Sequence, residues 1–243
     1  MIERLISFAT LAGDGYGAVA IGAGGEGCAW VELVGKPLAI EQGTAAPGEG
    51  SLRVSGAGGT LFLGIAAQTS PIGFEAASGL GVQVQAVSVS GELARETAGP
   101  GGPNAGLEAI GVAWKLSGAE GAAAMRSIWA SSGDRLLVGF AARPRGAGDH
   151  AAEEAGFASI RNDGSVDPFE EPLLSTEYDA AGAHTRATLE LWSEAEGAPA
   201  DRGAGTRAAG GTARLGEGNL AAARFDWRLG GVPARGGYEI FTA

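Results

Sequence analysis

The segment WKLSG at 114–118 returns in altered form as WRLGG at 227–231. The distance between these two segments is close to half of the 243-residue chain. Self-similarity at such a spacing is typical of a tandem duplication. We therefore predict two similar structural units, residues 1–121 and 122–243, with the boundary in the small-residue segment 119–124.

Two other pairs of similar segments are present: FATL at 8–11 with FASI at 157–160, and residues 61–67 with residues 136–142. The members of the three pairs are offset by different lengths of chain, so the pairs do not fit one collinear alignment. Strands that use the same few residue types also resemble one another by chance. Both interpretations, duplication and chance similarity, stay open from the sequence.

Short strands and tight turns are predicted for most of the chain. Residues 81–90 read GVQVQAVSVS, which places Val82 and Val84 on one face of a strand and Gln83 and Gln85 on the other. The 44 glycines and 10 prolines show no three-residue period, which favours many turns over a collagen-like chain. No 15-residue window keeps a helical stripe of apolar residues, so we expect little helix.

Antiparallel strands at a spacing of about ten residues indicate an all-β barrel or sandwich. A closed barrel of about eight strands holds one small ligand and has no free sheet edge. Two such barrels fit the length of the chain. The predicted strands are 4–12, 16–22, 28–34, 50–55, 60–68, 81–90, 107–116, 125–130, 135–143, 155–161, 184–194, 219–230 and 236–242, with loops at 97–106, 144–152 and 196–210.

The balance of charge and the single cysteine limit the classes of function. With 17 Lys and Arg against 28 Asp and Glu, the formal charge is −11, which argues against binding to nucleic acid or to anionic membranes. Cys28 has no cysteine partner, and no 18-residue apolar run is present. We expect a cytoplasmic protein without membrane insertion, although a leader removed before Met1 stays open.

Several common site types lack their sequence context. Residues 22–27 satisfy G-x-G-x-x-G, but a predicted strand rather than a helix follows, so dinucleotide binding is not expected. His150 and His184 are too few for a zinc site, and no G-x-S-x-G nucleophile motif occurs. We therefore predict no metal and no cofactor.

Two glutamates are candidate catalytic acids. Glu32 shares a predicted strand face with Trp30, and Glu190 shares one with Trp192. A carboxyl group inside an apolar barrel would have a raised pKa and could protonate an alkene or polarise a carbonyl group. The alternative, that both side chains simply point to water from half-buried strands, is the interpretation that the pattern favours.

Aromatic residues are candidates for lining a ligand cavity, although large aromatic side chains also form ordinary barrel cores. Arg126, Arg135 and Arg143 could bind a carboxylate or close a barrel end by pairing with acids. The aromatic candidates are Trp30, Trp114, Trp129, Trp192, Trp227 and Tyr238.

The second half of the chain resembles tandem lipocalin-like proteins, the group around the carotenoid 1,2-hydratases and similar two-barrel bacterial proteins. The resemblance rests on RSIW at 126–129, GFASIRNDG at 156–164, TLELW at 188–192 and WRLGG at 227–231 with the GYE that follows at 237–239. It implies two lipocalin-like β-barrels packed side by side and a hydrophobic ligand, often an isoprenoid or a polyketide. It assigns no catalytic residue.

These observations lead to three functional hypotheses. The first is binding of a lipophilic small molecule in a β-barrel cavity. The second is a cofactor-free hydratase, isomerase or cyclase that uses carboxylic-acid catalysis on such a ligand. The third is a structural or interaction protein with filled barrels. The sequence leaves the ligand and the oligomeric state open.

Overall fold

The computed structural model describes residues 2–95, 105–147, 152–193 and 200–243. Its first half forms an antiparallel sheet that closes on itself, because β1 pairs with β9 and β6 pairs with β8. The short strand β7 extends the sheet alongside β8. The strands of this barrel, barrel 1, are β1 (Ile2–Thr10), β2 (Gly15–Gly22), β3 (Glu26–Leu33), β4 (Lys36–Gly48), β5 (Ser51–Ala57), β6 (Gly59–Ala67), β7 (Ile72–Glu75), β8 (Gly81–Arg95) and β9 (Ala105–Ser117).

A single 3₁₀ turn at Ala119–Gly121 leads into a second closed barrel of eight antiparallel strands, barrel 2. The prediction of an all-β chain with two eight-stranded barrels side by side is confirmed. The strands of barrel 2 are β10 (Ala122–Ser131), β11 (Arg135–Pro144), β12 (Glu154–Arg161), β13 (Val166–Tyr178), β14 (His184–Trp192), β15 (Asp201–Leu215), β16 (Gly218–Leu229) and β17 (Val232–Thr242).

The two barrel interiors differ in composition. Barrel 1 is filled almost entirely by aliphatic side chains, such as Val19, Val31 and Leu61, with Phe8 as its aromatic member. Barrel 2 contains aromatic rings instead. Its interior includes Phe157, Phe225, Trp227 and Tyr238.

A third apolar core lies between the barrels, where their outward faces pack together. Trp30 and Trp114 reach it from barrel 1, and Trp129 and Phe140 reach it from barrel 2. Strands at this interface are buried on both faces. This explains why all eight residues of β2 are buried and why its sequence is a nearly continuous run of small and apolar residues.

Close approach of the barrels depends on glycine. A Cβ at Gly211 of β15 would overlap the indole of Trp30, and one at Gly156 of β12 would lie 2.7 Å from the ring of Phe74. The chain therefore keeps hydrogen at these positions, so that aromatic side chains of barrel 1 can lie directly on the backbone of barrel 2.

The predicted loop at 196–210 is wrong from residue 201 onward, because β15 begins at Asp201. Its sequence, DRGAGTRAAGGTARL, is rich in small residues, as loops often are, but here the small residues are needed for packing. Cβ atoms at Gly203 and Gly205 would crowd Leu189 and Trp227, so large neighbours fill the space that strand side chains usually take. The loops predicted at 97–106 and 144–152 lie largely outside the described residues.

Strands β4 and β13 were not predicted either. Each contains two prolines, which usually argue against a strand interior. Both strands accommodate this composition through shifts of register, and Gln42 and Glu171 have positive φ angles of 45° and 42° near these shifts.

The sequence similarities do not mark equivalent positions. Trp114 lies on β9, the last strand of the first barrel, and faces outward, whereas Trp227 lies on β16, the second-to-last strand of the second, and faces inward. The two-barrel prediction is correct, but the repeat that suggested it is a similarity of strand composition. The division at residue 121 as a boundary between independent domains stays a prediction.

Across residues 2–95, 105–147, 152–193 and 200–243, no helix has the length and apolar character needed to cross a membrane.

Candidate functional site

A cluster of polar side chains is buried between the barrels. Its members lie on outward strand faces; Ser7, for example, stands between Ile6 and Phe8, which point into barrel 1. Apolar side chains of the core between the barrels surround it. The cluster, named below after its carboxyl group as the Glu239 cluster, consists of Ser7 on β1, Tyr16 on β2, Ser127 and Trp129 on β10, and Glu239 on β17.

Hydrogen bonds from both barrels converge on Glu239. Its Oε1 accepts a hydrogen bond from Ser7 Oγ at 2.5 Å and another from the hydroxyl of Tyr16. Its Oε2 accepts one from Ser127 Oγ at 2.8 Å. The indole Nε1 of Trp129 donates to Ser7 Oγ at 2.6 Å. The carboxyl group is therefore fixed by groups from three other strands.

Gly237 provides the space for this arrangement. A Cβ at Gly237 would overlap the carboxyl group of Glu239 and would lie 2.6 Å from Nε1 of Trp129 and 2.8 Å from Oγ of Ser7. These separations are shorter than van der Waals contact. Only glycine at this position is compatible with the observed cluster.

Burial dominates the electrostatics of the cluster. Desolvation raises the pKa of Glu239 from 4.5 to about 7, while the three hydroxyl donors favour the carboxylate and limit the rise. Burial and the neighbouring carboxyl group also raise the pKa of Tyr16 well above 10. Near neutral pH, Glu239 is thus present in both protonation states, and Tyr16 remains a hydrogen-bond donor.

A carboxyl group with a pKa near the working pH can both give and accept a proton, which is the requirement for general acid–base catalysis. The hydroxyl donors hold the carboxyl group in one orientation. Within the described part of the chain, no three His, Cys, Asp or Glu side chains are grouped so that they could hold a metal ion.

A cleft of about 720 Å³ opens between the barrels beside the cluster. Trp129 forms part of its wall, and two successive hydrogen bonds, Trp129 to Ser7 and Ser7 to Glu239, connect that wall to the carboxyl group. Other residues of the wall are Ala9, Leu11, Ile110, Thr206, Asp226 and Arg235.

The interior of barrel 2 has its own polar groups. His184 donates from Nε2 to the backbone oxygen of Tyr238 at 2.9 Å and stacks on Phe225 with ring centres 5.6 Å apart. Burial lowers the pKa of His184 from 6.5 to about 4, so the ring is neutral at physiological pH. The Tyr238 hydroxyl is hydrogen-bonded to Thr176 at 2.6 Å, and burial raises its pKa.

Two of the three candidate arginines pair with acids in barrel 2. Arg126 forms a buried ion pair with Glu153, and Arg135 bonds Asp201 at 2.6 Å. The second pair lies at a wide mouth of about 1030 Å³, whose lining is mainly polar and includes the apolar Phe169 and Leu229. These ion pairs agree with the interpretation that the arginines close a barrel end by pairing with acids.

The structure places the two predicted catalytic glutamates outside the barrel interiors. Glu32 lies half-buried on the outward face of β3, with Trp30, because Val31 and Leu33 point inward. Glu190 lies on the outer face of β14 and is 3.5 Å from Arg202. Neither belongs to the Glu239 cluster, and their catalytic role stays a prediction.

The six predicted ligand-lining aromatics are distributed over three environments. Trp30, Trp114 and Trp129 lie in the core between the barrels, and of these Trp129 borders the cleft. Trp227 and Tyr238 lie in the interior of barrel 2. Trp192 is half-buried on the outer face of β14, so the six do not line one cavity.

Sequence reasoning missed Glu239 as a site residue, together with Ser7, Tyr16 and Ser127. A signal was present, since Glu239 is the one charged residue in GGYEIF at 236–241. Its partners lie up to 232 residues away, and no local pattern connects them.

Comparisons with known proteins agree with the architecture. A Nitrosomonas europaea protein provisionally named AttH matches over 99% of this chain and 92% of its own, with 14% identity and a TM-score of 0.60. Kievitone hydratase from Nectria haematococca matches over 98% of this chain and 87% of its own, with 9% identity and a TM-score of 0.59.

CghA matches over 99% of this chain and 87% of its own, with 11% identity and a TM-score of 0.60, and a second CghA structure includes Sch210972. No protein-family model matches the sequence, and no curated protein matches it. At these identities the likeness is one of fold. The chain has the tandem lipocalin-like two-barrel fold that these proteins share.

Proposed function

We propose that this protein binds a largely apolar small molecule in the cleft between its barrels and transfers a proton to or from that molecule through Glu239, without a cofactor. The observation that carries the proposal is the Glu239 cluster itself. A carboxyl group with a pKa of about 7 is held by three hydroxyl groups, two hydrogen bonds away from the wall of a cleft.

The Glu239 cluster lowers the stability of the fold, which is unexpected if its role is only structural. Burial of an ionisable carboxyl group without a cationic partner disfavours folding, and apolar residues of similar size often pack such positions equally well or better. Strongly shifted carboxyl groups beside clefts are for this reason candidates for catalysis. The hydroxyl donors satisfy the group without neutralising it, which preserves its ability to exchange a proton.

The chemistry that fits is addition, isomerisation or cyclisation of an unsaturated ligand. Protonated Glu239 would give its proton to a carbon of the ligand, and water or an internal group would then bond to the resulting cationic centre. The proton released in that second step returns to the carboxylate. The face of Trp129 can stabilise positive charge on the ligand. The Trp129 side chain lies between the cleft and the carboxyl group of Glu239. It must therefore move aside before a ligand in the cleft can contact that carboxyl group.

The named structural neighbours support this class of chemistry. One is called a hydratase, and another has been observed with the small molecule Sch210972. The aliphatic filling of barrel 1 further favours the space between the barrels, rather than that barrel's lumen, as the place for a ligand.

A second candidate function is binding without catalysis. The mouth of barrel 2 has a volume of about 1030 Å³, the size of a small-molecule site, and Phe169 and Leu229 line it among mainly polar residues. A carrier would release its ligand chemically unchanged. The two candidates therefore differ in whether the ligand exchanges hydrogen with solvent.

Deuterium transfer tests the proposal even while the product is unidentified. The purified protein is incubated in D₂O with a panel of unsaturated isoprenoids and polyketides, and each compound is examined by mass spectrometry for carbon-bound deuterium or added water. We expect incorporation with the wild type and its loss with Glu239→Gln. The exposed Glu217→Gln is the matched control. Incorporation that persists in Glu239→Gln would refute the role of this carboxyl group, and Glu32→Gln and Glu190→Gln test the other two candidate glutamates.

A further inference from the structure

The open end of barrel 1 carries two cations that lie directly opposite each other. Arg4 on β1 pairs in register with Lys115 on β9, and Lys115 pairs on its other side with Gln83 on β8. Both cations are exposed. Among the residues that the structure describes, no acidic side chain forms an ion pair with either of them.

Both side chains lie on the lumen face of their strands. Ile6 and Ala113, two positions further along the same strands, pack against the interior of barrel 1. Because side chains alternate along a strand, Arg4 and Lys115 share that face. They therefore stand at the rim of the lumen, above its aliphatic filling.

A cavity of about 350 Å³ lies at this rim, here called the Arg4–Lys115 mouth. Its lining contains no acidic residue, although the chain has 28 of them and a formal charge of −11. Its size lies at the lower end of the range for small-molecule pockets. The polar lining comprises Arg4, Lys115, Gln83, Gln85 and Ser51, and the apolar lining includes Ile6, Ile65 and Ala113.

Two like charges directly opposite each other on neighbouring strands destabilise a sheet. An acid paired with these cations would remove the repulsion, yet among the described residues none forms such an ion pair, including Glu49 in the turn between the lining residues Gly48 and Gly50. A bound anion would remove it as well. The guanidinium group of Arg4 offers paired donors that match two oxygens of an oxyanion. The ammonium group of Lys115 can donate a further hydrogen bond to the same anion.

We propose that the Arg4–Lys115 mouth binds the anionic group, a carboxylate or a phosphate, of a small amphiphile whose apolar part lies on Ile6, Ile65 and Ala113. This site shares no lining residue with the cleft at Trp129. The inference therefore does not depend on the proposed chemistry of Glu239. The protein would thus have a second ligand site, at barrel 1, that prefers an anionic ligand.

Titration calorimetry with three eight-carbon probes tests the proposal. Octanoate and octyl phosphate carry the two anionic groups, and octanol is the neutral probe of the same length. We expect one or both anions to bind the wild type and octanol not to bind. The stronger of the two anions identifies the headgroup. Binding should weaken in 1 M salt, where exposed charges are screened within about 3 Å.

The double variant Arg4→Gln/Lys115→Gln should raise the dissociation constant of the anion by about tenfold or more, because both charge-assisted contacts are lost. The matched control is Lys36→Gln/Arg53→Gln, which removes two exposed cations of barrel 1 outside the cavity. The control should bind the anion as the wild type does.

Thermal unfolding of the single variants separates ligand binding from a structural role. Removing one of two opposed like charges should leave the melting temperature unchanged or raise it. A marked fall in melting temperature would show that the cations support the fold instead. The proposal is also overturned if octanol binds as well as the anions, if neither anion binds, or if the double variant and its control bind the anions equally.

Discussion

Replacing Glu239 by glutamine is expected to change the pH dependence of stability in a defined direction. In the folded protein the pKa of Glu239 is about 7, above the 4.5 of an unperturbed glutamate. The folded state therefore binds this proton more tightly than the unfolded chain. The resulting stabilisation is fully present below pH 4.5 and is lost as the pH rises to 7, a loss of about 3 kcal/mol.

His184 acts in the opposite direction over nearly the same range. Its pKa is about 4 in the folded protein and 6.5 when unperturbed, so folding disfavours its protonated form. Its contribution is complete above pH 6.5 and is lost as the pH falls towards 4, again by about 3 kcal/mol. Between pH 4.5 and 6.5 the two contributions cancel, and the wild type should show little net dependence from this pair of groups.

The assay is urea unfolding followed by tryptophan fluorescence at half-unit intervals from pH 4.5 to 8. Glu239→Gln should gain about 3 kcal/mol of stability between pH 4.5 and 7, because the opposing contribution of Glu239 is gone and that of His184 remains. His184→Phe, which retains a ring beside Phe225, should show the mirror image and lose stability over that range. Glu217→Gln should follow the wild type. If Glu239→Gln also followed the wild type from pH 4.5 to 8, the carboxyl group would not titrate near 7, and the acid–base argument would fail.

Three further outcomes follow from packing and burial. Trp129→Phe should cost about 1–3 kcal/mol in urea unfolding, since the hydrogen bond to Ser7 is lost and the smaller phenyl ring fills less of the buried site; no change would mean that neither contributes. Gly211→Ala should cost about 1–3 kcal/mol because its Cβ overlaps Trp30, whereas Gly73→Ala, with open space around it, should cost far less; equal costs would contradict the packing argument. Cys28 is fully buried and its thiol pKa is raised to about 12, so an aromatic disulfide reagent should modify it only after unfolding, and rapid modification of the native protein would show that the site opens.

The fold was accessible to sequence reasoning because its signals are local. Alternation at 81–90 follows from the geometry of a single strand, and the strand occurs where predicted. Strand β15 was not accessible. Its glycines make sense only against Trp30 and Trp227, which come from distant parts of the chain.

The candidate site was also inaccessible to sequence reasoning, because its residues come from distant parts of the chain. Glu32 and Glu239 each interrupt an apolar strand, and the two sequence patterns are of the same kind. Their environments differ because β17 pairs with β10 and contacts β1 of the other barrel, so that Ser7 and Ser127 face the carboxyl group of Glu239. Which of the two acids becomes buried is decided by the packing of one barrel on the other, and the local sequence signal at Glu239 does not distinguish it from Glu32.

The core between the barrels also has a consequence for folding during synthesis. Barrel 1 can close once β9 has left the ribosome, because all of its strand pairs are then present. Its outward face, with Leu5, Trp30 and Trp114, stays uncovered until β15, β16 and β17 have been made, which together span residues 201–242. At about 5–20 residues per second, this apolar face is exposed for several seconds to tens of seconds. The nascent chain is therefore a substrate for chaperones at that stage, and slower translation of barrel 2 should lower the yield of folded protein.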